Sequence, residues 1–124
     1  MISFRAIQAM TVSTTETGRK AESAAAVYLE MRGFKIIEQN YRRPRCEIDI
    51  VAKKDRVVHL VEVKYRRNND QGGVESITAT KLKQMRYAAE TWREDNKWNS
   101  ELLLSAIEIA GPNFAVLSFV EGVL

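Results

Sequence analysis

Apolar residues recur along the chain first at helical and then at strand spacing. Ala21, Ala24, Ala25, Tyr28 and Leu29 form a stripe that predicts a helix from Glu16 to Met31, with Thr15 or Thr17 capping its start and Gly33 ending it. Phe34 to Glu38 predicts a first strand, and Asn40 to Arg45 a basic turn in which Pro44 stops the ladder. Cys46 to Ala52 alternates, which places Cys46, Ile48 and Ile50 on one face and Glu47, Asp49 and Val51 on the other. After a charged turn at 53–56, Val57 to Lys64 is apolar on both faces for most of its length, the mark of a central strand. One of its faces carries Val57, His59, Val61 and Val63; the other carries Val58, Leu60, Glu62 and Lys64. The polar segment 66–74, with Gly72 and Gly73, predicts a mobile connection. A second helix follows over 78–92, on the spacing of Leu82, Met85, Ala88, Ala89 and Trp92. Strands at 102–109 and 114–120 flank the Gly111-Pro112-Asn113 turn. The order helix, three strands, helix, two strands predicts an α/β fold with a mixed central sheet flanked by helices.

Length and charge narrow this picture only a little. A chain of 124 residues suits one domain, so residues 1–15, ending in Ser13-Thr14-Thr15, read as a flexible N-terminal tail and 16–124 as the single domain. A content of 45% hydrophobic and 28% charged residues belongs to a folded chain and excludes intrinsic disorder as its main state. The net charge of +3 suits a nucleic-acid partner without requiring one. Cys46 stands alone, so no internal disulfide is available. No apolar run approaches the roughly 20 residues that span a bilayer, and no signal peptide is visible, which together predict no membrane partner and a cytoplasmic location.

The informative feature is where the acids stand. Two strands joined by a short turn bring Asp49 and Glu62 near each other across the ladder, each on a face shared with apolar residues. Paired carboxylates in apolar surroundings repel and resist burial. A divalent cation, Mg²⁺ or Mn²⁺, removes that cost, since it takes one or two carboxylates together with waters and phosphate oxygens. Asp49 and Glu62 are therefore the expected metal ligands. Lys64, one pleat beyond Glu62 on the same face, can reach a water or phosphate oxygen and offset negative charge developing at phosphorus. Glu22, beside the inward stripe of the first helix, can serve as an outer ligand or accept a proton from water. Taken alone, Glu-x-Lys on a strand is more often a solvated face or a cross-strand ion pair; the apolar neighbours Val58 and Leu60 and the nearness of Asp49 shift that balance.

Other residues fit simpler roles. His59 lies opposite the acid face and reads as a core histidine, Cys46 as a small apolar residue, and Trp92 and Trp98 as parts of a helix face and its following loop. Basic residues at 42, 43 and 45, at 53, 54 and 56, and at 66 and 67 can track a phosphate backbone, provided strand direction puts them at the acid end.

The segment Glu47-Ile48-Asp49-Ile50-Val51 followed by Leu60-Val61-Glu62-Val63-Lys64-Tyr65-Arg66 resembles the YraN-type family of small bacterial proteins. Gly18 to Glu22, Gly33-Phe34, Asn40-Tyr41-Arg42 and Lys81 to Ala89 extend the likeness over about residues 17–120. That family is similar in turn to Holliday-junction resolvases and the PD-(D/E)xK nucleases. The resemblance implies a restriction-endonuclease-like nuclease core, with Asp49, Glu62 and Lys64 as its acid, acid and lysine and Glu22 as its helix-borne glutamate. Cys46 stands where the family usually has glycine, and Leu103-Leu104-Ser105 replaces a charged segment of the late strand. The function expected is divalent-metal-dependent hydrolysis of phosphodiesters in DNA, branched or otherwise structured, by a chain able to act as a homodimer. The alternative is a nucleic-acid-binding module with a nuclease-like fold and little or no catalysis.

Overall fold

The computed structural model describes residues 12–67 and 77–123, with side chains from Glu16 onward. Its elements run α1 (Val12–Met31), β1 (Lys35–Arg43), β2 (Cys46–Lys54), β3 (Val57–Arg66), α2 (Ala79–Asn96), β4 (Glu101–Ala110) and β5 (Ala115–Glu121). The five strands form one sheet in the order β1-β2-β3-β4-β5, with antiparallel neighbours except for the parallel pair β3–β4. A parallel pair cannot be joined by a tight turn, and α2 belongs to the long connection that joins this one. The fold is thus the expected α/β arrangement with a mixed sheet.

Each face of the sheet carries one helix. Ala21, Ala25, Ala26 and Leu29 of α1 pack on Ile50, Ala52, Val61, Ile107 and Ile109. Small residues at helical spacing let α1 lie close to the sheet. On the other face Met85, Ala88, Ala89 and Trp92 of α2 meet Ile48, Val51, Val58, Leu60 and Leu104. The strand expected to be central is central: Val58, His59, Leu60 and Val61 of β3 are all buried. Thr78 caps α2 by accepting the Lys81 N–H at 3.1 Å, and Lys97, in the left-handed region at φ 51°, ends it.

Several boundaries differ from the sequence pattern. α1 begins at Val12, so Thr15 and Thr17 lie inside it and not at its start. The other residues of the expected tail, 1–11, fall outside the described residues, as does most of the expected mobile connection, 68–76. β1 runs on to Arg43, through what reads as a turn, because Tyr41 is buried and pairs with Ile48 while only Pro44-Arg45 turn the chain. α2 continues to Asn96, one turn past Trp92.

Candidate functional site

The alternation read for β2 fails at one residue, Asp49. Ile50 and Ala52 join the α1 side and Val51 the α2 side, yet Ile48 also joins the α2 side, where strict alternation would put it with Ile50. The β2–β3 ladder stops at the same place. Its register runs from Lys54↔Val57 to Ile50↔Val61 and ends there, so Asp49 and Glu62 stand where the next pair would form. The Asp49 carboxylate fills the gap, its Oδ2 accepting the Val63 N–H at 2.8 Å. On the other side β1–β2 pairing continues with Asn40, in the left-handed region at φ 57°, between the pairs Gln39↔Ile50 and Tyr41↔Ile48. Asparagine tolerates that conformation better than most residues. The result is a sheet that splits between β2 and β3 at its acidic end. A cavity of about 10 Å³, the order of space one water needs, lies there against Glu47, Ile48, Leu60, Val61, Glu62 and Met85.

Four carboxylates act on one another at the split. Burial, then repulsion from Glu62, raises the proton affinity of Asp49 from the usual carboxylate range to about 8; the Val63 N–H opposes the rise, and Glu22 and Glu47 add to it. Glu22 is raised as well, first by burial and then by Glu47 and Glu62, against a side-chain hydrogen bond from Asn40 and the charge of Arg42. The sequence-derived residues Glu22, Asp49 and Glu62, which come from α1, β2 and β3, therefore meet electrostatically. Glu47 belongs with them. Lys64, half-buried on β3, lies two residues beyond Glu62 and opposite Glu108 of β4.

Three contributors escaped the sequence reading. Lys81 in the first turn of α2 makes an ion pair with Glu62 at 3.3 Å. Glu108, buried in β4, is held by Arg66 and by the Ser118 hydroxyl, which donates to it at 3.3 Å. Asn40 supports Glu22. Glu108 left a trace in the sequence, as the one charge inside the apolar run Leu102–Ala110. Lys81 left none, because its partner lies 19 positions earlier on another element.

Strand direction sorts the basic residues. β2 and β3 are antiparallel, so the β1–β2 turn and the end of β3 lie at the acidic end, and Lys53, Lys54 and Arg56 lie at the opposite one. At the acidic end Arg43 is bound by Asp95 at 2.9 Å, Arg42 faces Glu47 at 3.9 Å and Arg66 holds Glu108. His59 is a core residue as expected, edge-on to Phe34 with its Nδ1 at 3.0 Å from the Ser105 hydroxyl. Ser105 and His59 are both buried, with Glu121 at 3.9 Å from Nε2, so this Ser–His–Glu grouping offers no nucleophile to a substrate.

Among the described residues, no three His, Cys, Asp or Glu side chains are arranged to hold a metal. Two carboxylates completed by water and phosphate oxygens meet the needs of Mg²⁺. The mutual repulsion at Asp49 and Glu62 is the kind of cost such an ion relieves.

Comparison with known proteins places the chain. The family model described as "Uncharacterised protein family UPF0102" matches residues 21–116. A UPF0102 protein of Rhodopseudomonas palustris is 39% identical over 106 residues, 84% of this chain and 80% of that one. One from Helicobacter pylori is 35% identical over 102 residues, 82% and 88% of the two chains. One from Chloroherpeton thalassium is 40% identical over 80 residues, 64% of this chain and 62% of its own length. No helix among the described residues is long and apolar enough to cross a membrane.

Proposed function

This chain belongs to the uncharacterised protein family UPF0102, and from its acidic centre we propose divalent-metal-dependent hydrolysis of phosphodiester bonds in DNA, branched or structured DNA being the substrate tested first. The observation that carries the reading is the Asp49 carboxylate, set into a split in the sheet among acids that raise its proton affinity. A folded chain gains nothing from that arrangement unless a cation, or a proton, offsets it.

Asp49 and Glu62 would hold Mg²⁺ or Mn²⁺, with the Val63 carbonyl as a further oxygen at the same position on β3. The bound ion would supply charge neutralisation and polarisation of a phosphate oxygen. Lys64 orients the attacking water and offsets charge developing on the phosphoryl oxygens. Glu22, whose proton affinity is raised, accepts a proton from that water. Lys81 holds the Glu62 carboxylate in place until substrate arrives. A homodimer would supply two such centres for symmetric cuts.

A second reading has its own support. Glu62 is already paired with Lys81, and Asp49 already accepts a hydrogen bond, which suits a nucleic-acid-binding module with little or no catalysis. Calorimetric titration of Mg²⁺ and Mn²⁺ into wild type and Glu62→Ala, with cleavage of branched and linear DNA alongside, separates the two. The nuclease reading expects metal binding and cleavage to vanish together in the variant. Metal-independent DNA binding that survives Glu62→Ala, with no cleavage by wild type, establishes the module instead.

A further inference from the structure

An open groove of about 540 Å³ lies between α1 and the β4–β5 turn, lined by Glu16, Arg19, Lys20, Ser23, Ala24 and Phe114. Its polar wall is exposed: Arg19 and Lys20 extend from α1, and the ion pairs formed among the described residues use other cations. Its apolar wall is aromatic. Phe114 stacks on Tyr65 with ring centroids 5.1 Å apart and planes 27° from parallel, and the Tyr65 hydroxyl donates to the Gly111 carbonyl at 3.0 Å. Phe114 itself sits at φ 53°, a left-handed conformation uncommon for a bulky aromatic residue, yet the turn keeps it there. Two cations, against one carboxylate at Glu16, facing an aromatic ring that a second ring backs, is a combination that takes an unpaired nucleotide, phosphate on one wall and base on the other.

The groove adjoins the acidic centre along α1. Arg19 stands one helical turn before Glu22, about 4.5 Å along the axis, and Ser23 follows Glu22 directly. On β3 Tyr65 packs on the α1 side of the sheet, the face opposite to that of Glu62 and Lys64. We propose that this groove is a binding site for a single-stranded segment of nucleic acid, with Arg19 and Lys20 on its phosphates and the Phe114–Tyr65 stack under a base. The site rests on the nucleic-acid part of the proposed function and not on catalysis. It selects for nucleic acid with an unpaired stretch.

The test is run on the full chain in EDTA, so that no cleavage intervenes, with a labelled 12-nucleotide single strand containing 2-aminopurine. Arg19→Ala/Lys20→Ala is expected to weaken binding about tenfold at low salt and to lower the salt slope by roughly 1.4, because two phosphates are no longer neutralised. Lys83→Ala/Arg86→Ala, which removes the same charge from the exposed side of α2, is expected to change affinity less than twofold. Phe114→Leu keeps an apolar side chain and is expected to abolish 2-aminopurine quenching and weaken binding at least about fivefold, whereas Phe114→Trp retains the quenching. The site is overturned if the two double variants weaken binding alike, if quenching persists in Phe114→Leu, or if wild type binds no single strand. Absence of single-strand binding by wild type while Glu62-dependent cleavage of duplex DNA is present refutes the groove alone. Groove binding without any metal-dependent cleavage refutes the nuclease reading alone.

Discussion

The two halves of the β2–β3 pair come from the same strands and behave in opposite ways. From Ile50 to Lys54 β2 is hydrogen-bonded to β3, and Ile50, Val51, Ala52, Leu60 and Val61 are buried. From Asp49 back to Cys46 the ladder is gone and carboxylates take its place. The apolar half is worth stability because each buried side chain removes hydrocarbon from water. The acidic half costs stability, because it crowds like charges into a partly dry split. The two halves are continuous, so the rigid one fixes where the costly one stands. Stability and chemistry are thus divided along a strand and not between domains, and the division falls between residues 49 and 50.

The comparison can be broken hardest from the apolar side. Ile50→Ala, at a fully buried position next to Asp49, is expected to lower stability by about 2–5 kcal/mol, read from the urea midpoint. On the acidic side the sign reverses. Asp49→Asn keeps an acceptor for the Val63 N–H and needs neither a buried charge nor a proton taken up on folding, so in chelator at pH 7.5 the variant should be more stable than wild type by at least about 1 kcal/mol. It should also lose metal binding. A variant less stable than wild type would show that the acidic half is structural.

The two halves also differ in how they respond to pH. Asp49 has a folded-state proton affinity above its unfolded value of 3.8, so the folded state binds the extra proton between about pH 4 and pH 8. Its contribution is full below that window and is lost as pH rises through it. His59, in the apolar half, is shifted downward by burial from 6.5, so its contribution is present above pH 6.5 and is lost as pH falls below it. Metal-free wild type should therefore lose stability on going from pH 6.5 to 8, a loss absent in Asp49→Asn. His59→Phe should lessen the loss seen on acidification below pH 6.5. Denaturant midpoints taken across pH 5–8 for the three proteins read all of this. The smallest effect belongs to Lys81→Met. Its ion pair with Glu62 is partly exposed, so stability should change by less than about 1 kcal/mol. Freed of the pair, Glu62 should bind Mg²⁺ a few-fold more tightly by calorimetry.

The apolar half was readable from the sequence because strand periodicity and burial report the same thing. Val57 to Lys64 is apolar on both faces, and β3 is the middle strand. The order of elements followed from the same logic. The acidic half was readable in its residues but not in its geometry. Asp49, Glu62 and Glu22 stand out as acids beside apolar positions, yet the loss of alternation at Asp49 comes from Asn40 and the end of the β3 ladder, neither of which periodicity registers. β1 was cut short for a related reason: Asn40 and a run of arginines look like a turn, while the burial of Tyr41 against Ile48 and its bond to Asp95 at 2.6 Å depend on α2. Ser13 to Thr17 have cap chemistry, but the helix had already begun at Val12. Lys81 and Glu108 enter only when the parallel pairing of β3 and β4 and the seat of α2 are known.

That parallel pairing also orders events in time. β1, β2 and β3 form a meander closed by two short turns, Pro44-Arg45 and Asp55-Arg56, whereas each β3–β4 pair, such as Val57↔Glu101, joins residues 44 positions apart. Closing the longer loop costs more chain entropy, and contacts so separated in sequence slow folding. Asp49 and Glu62 both belong to the meander. The nascent chain is therefore expected to bring its repelling carboxylates together before Lys81 and the β4 strand are in place to moderate them, and a cation present at that stage would act on the folding rate as well as on the finished site.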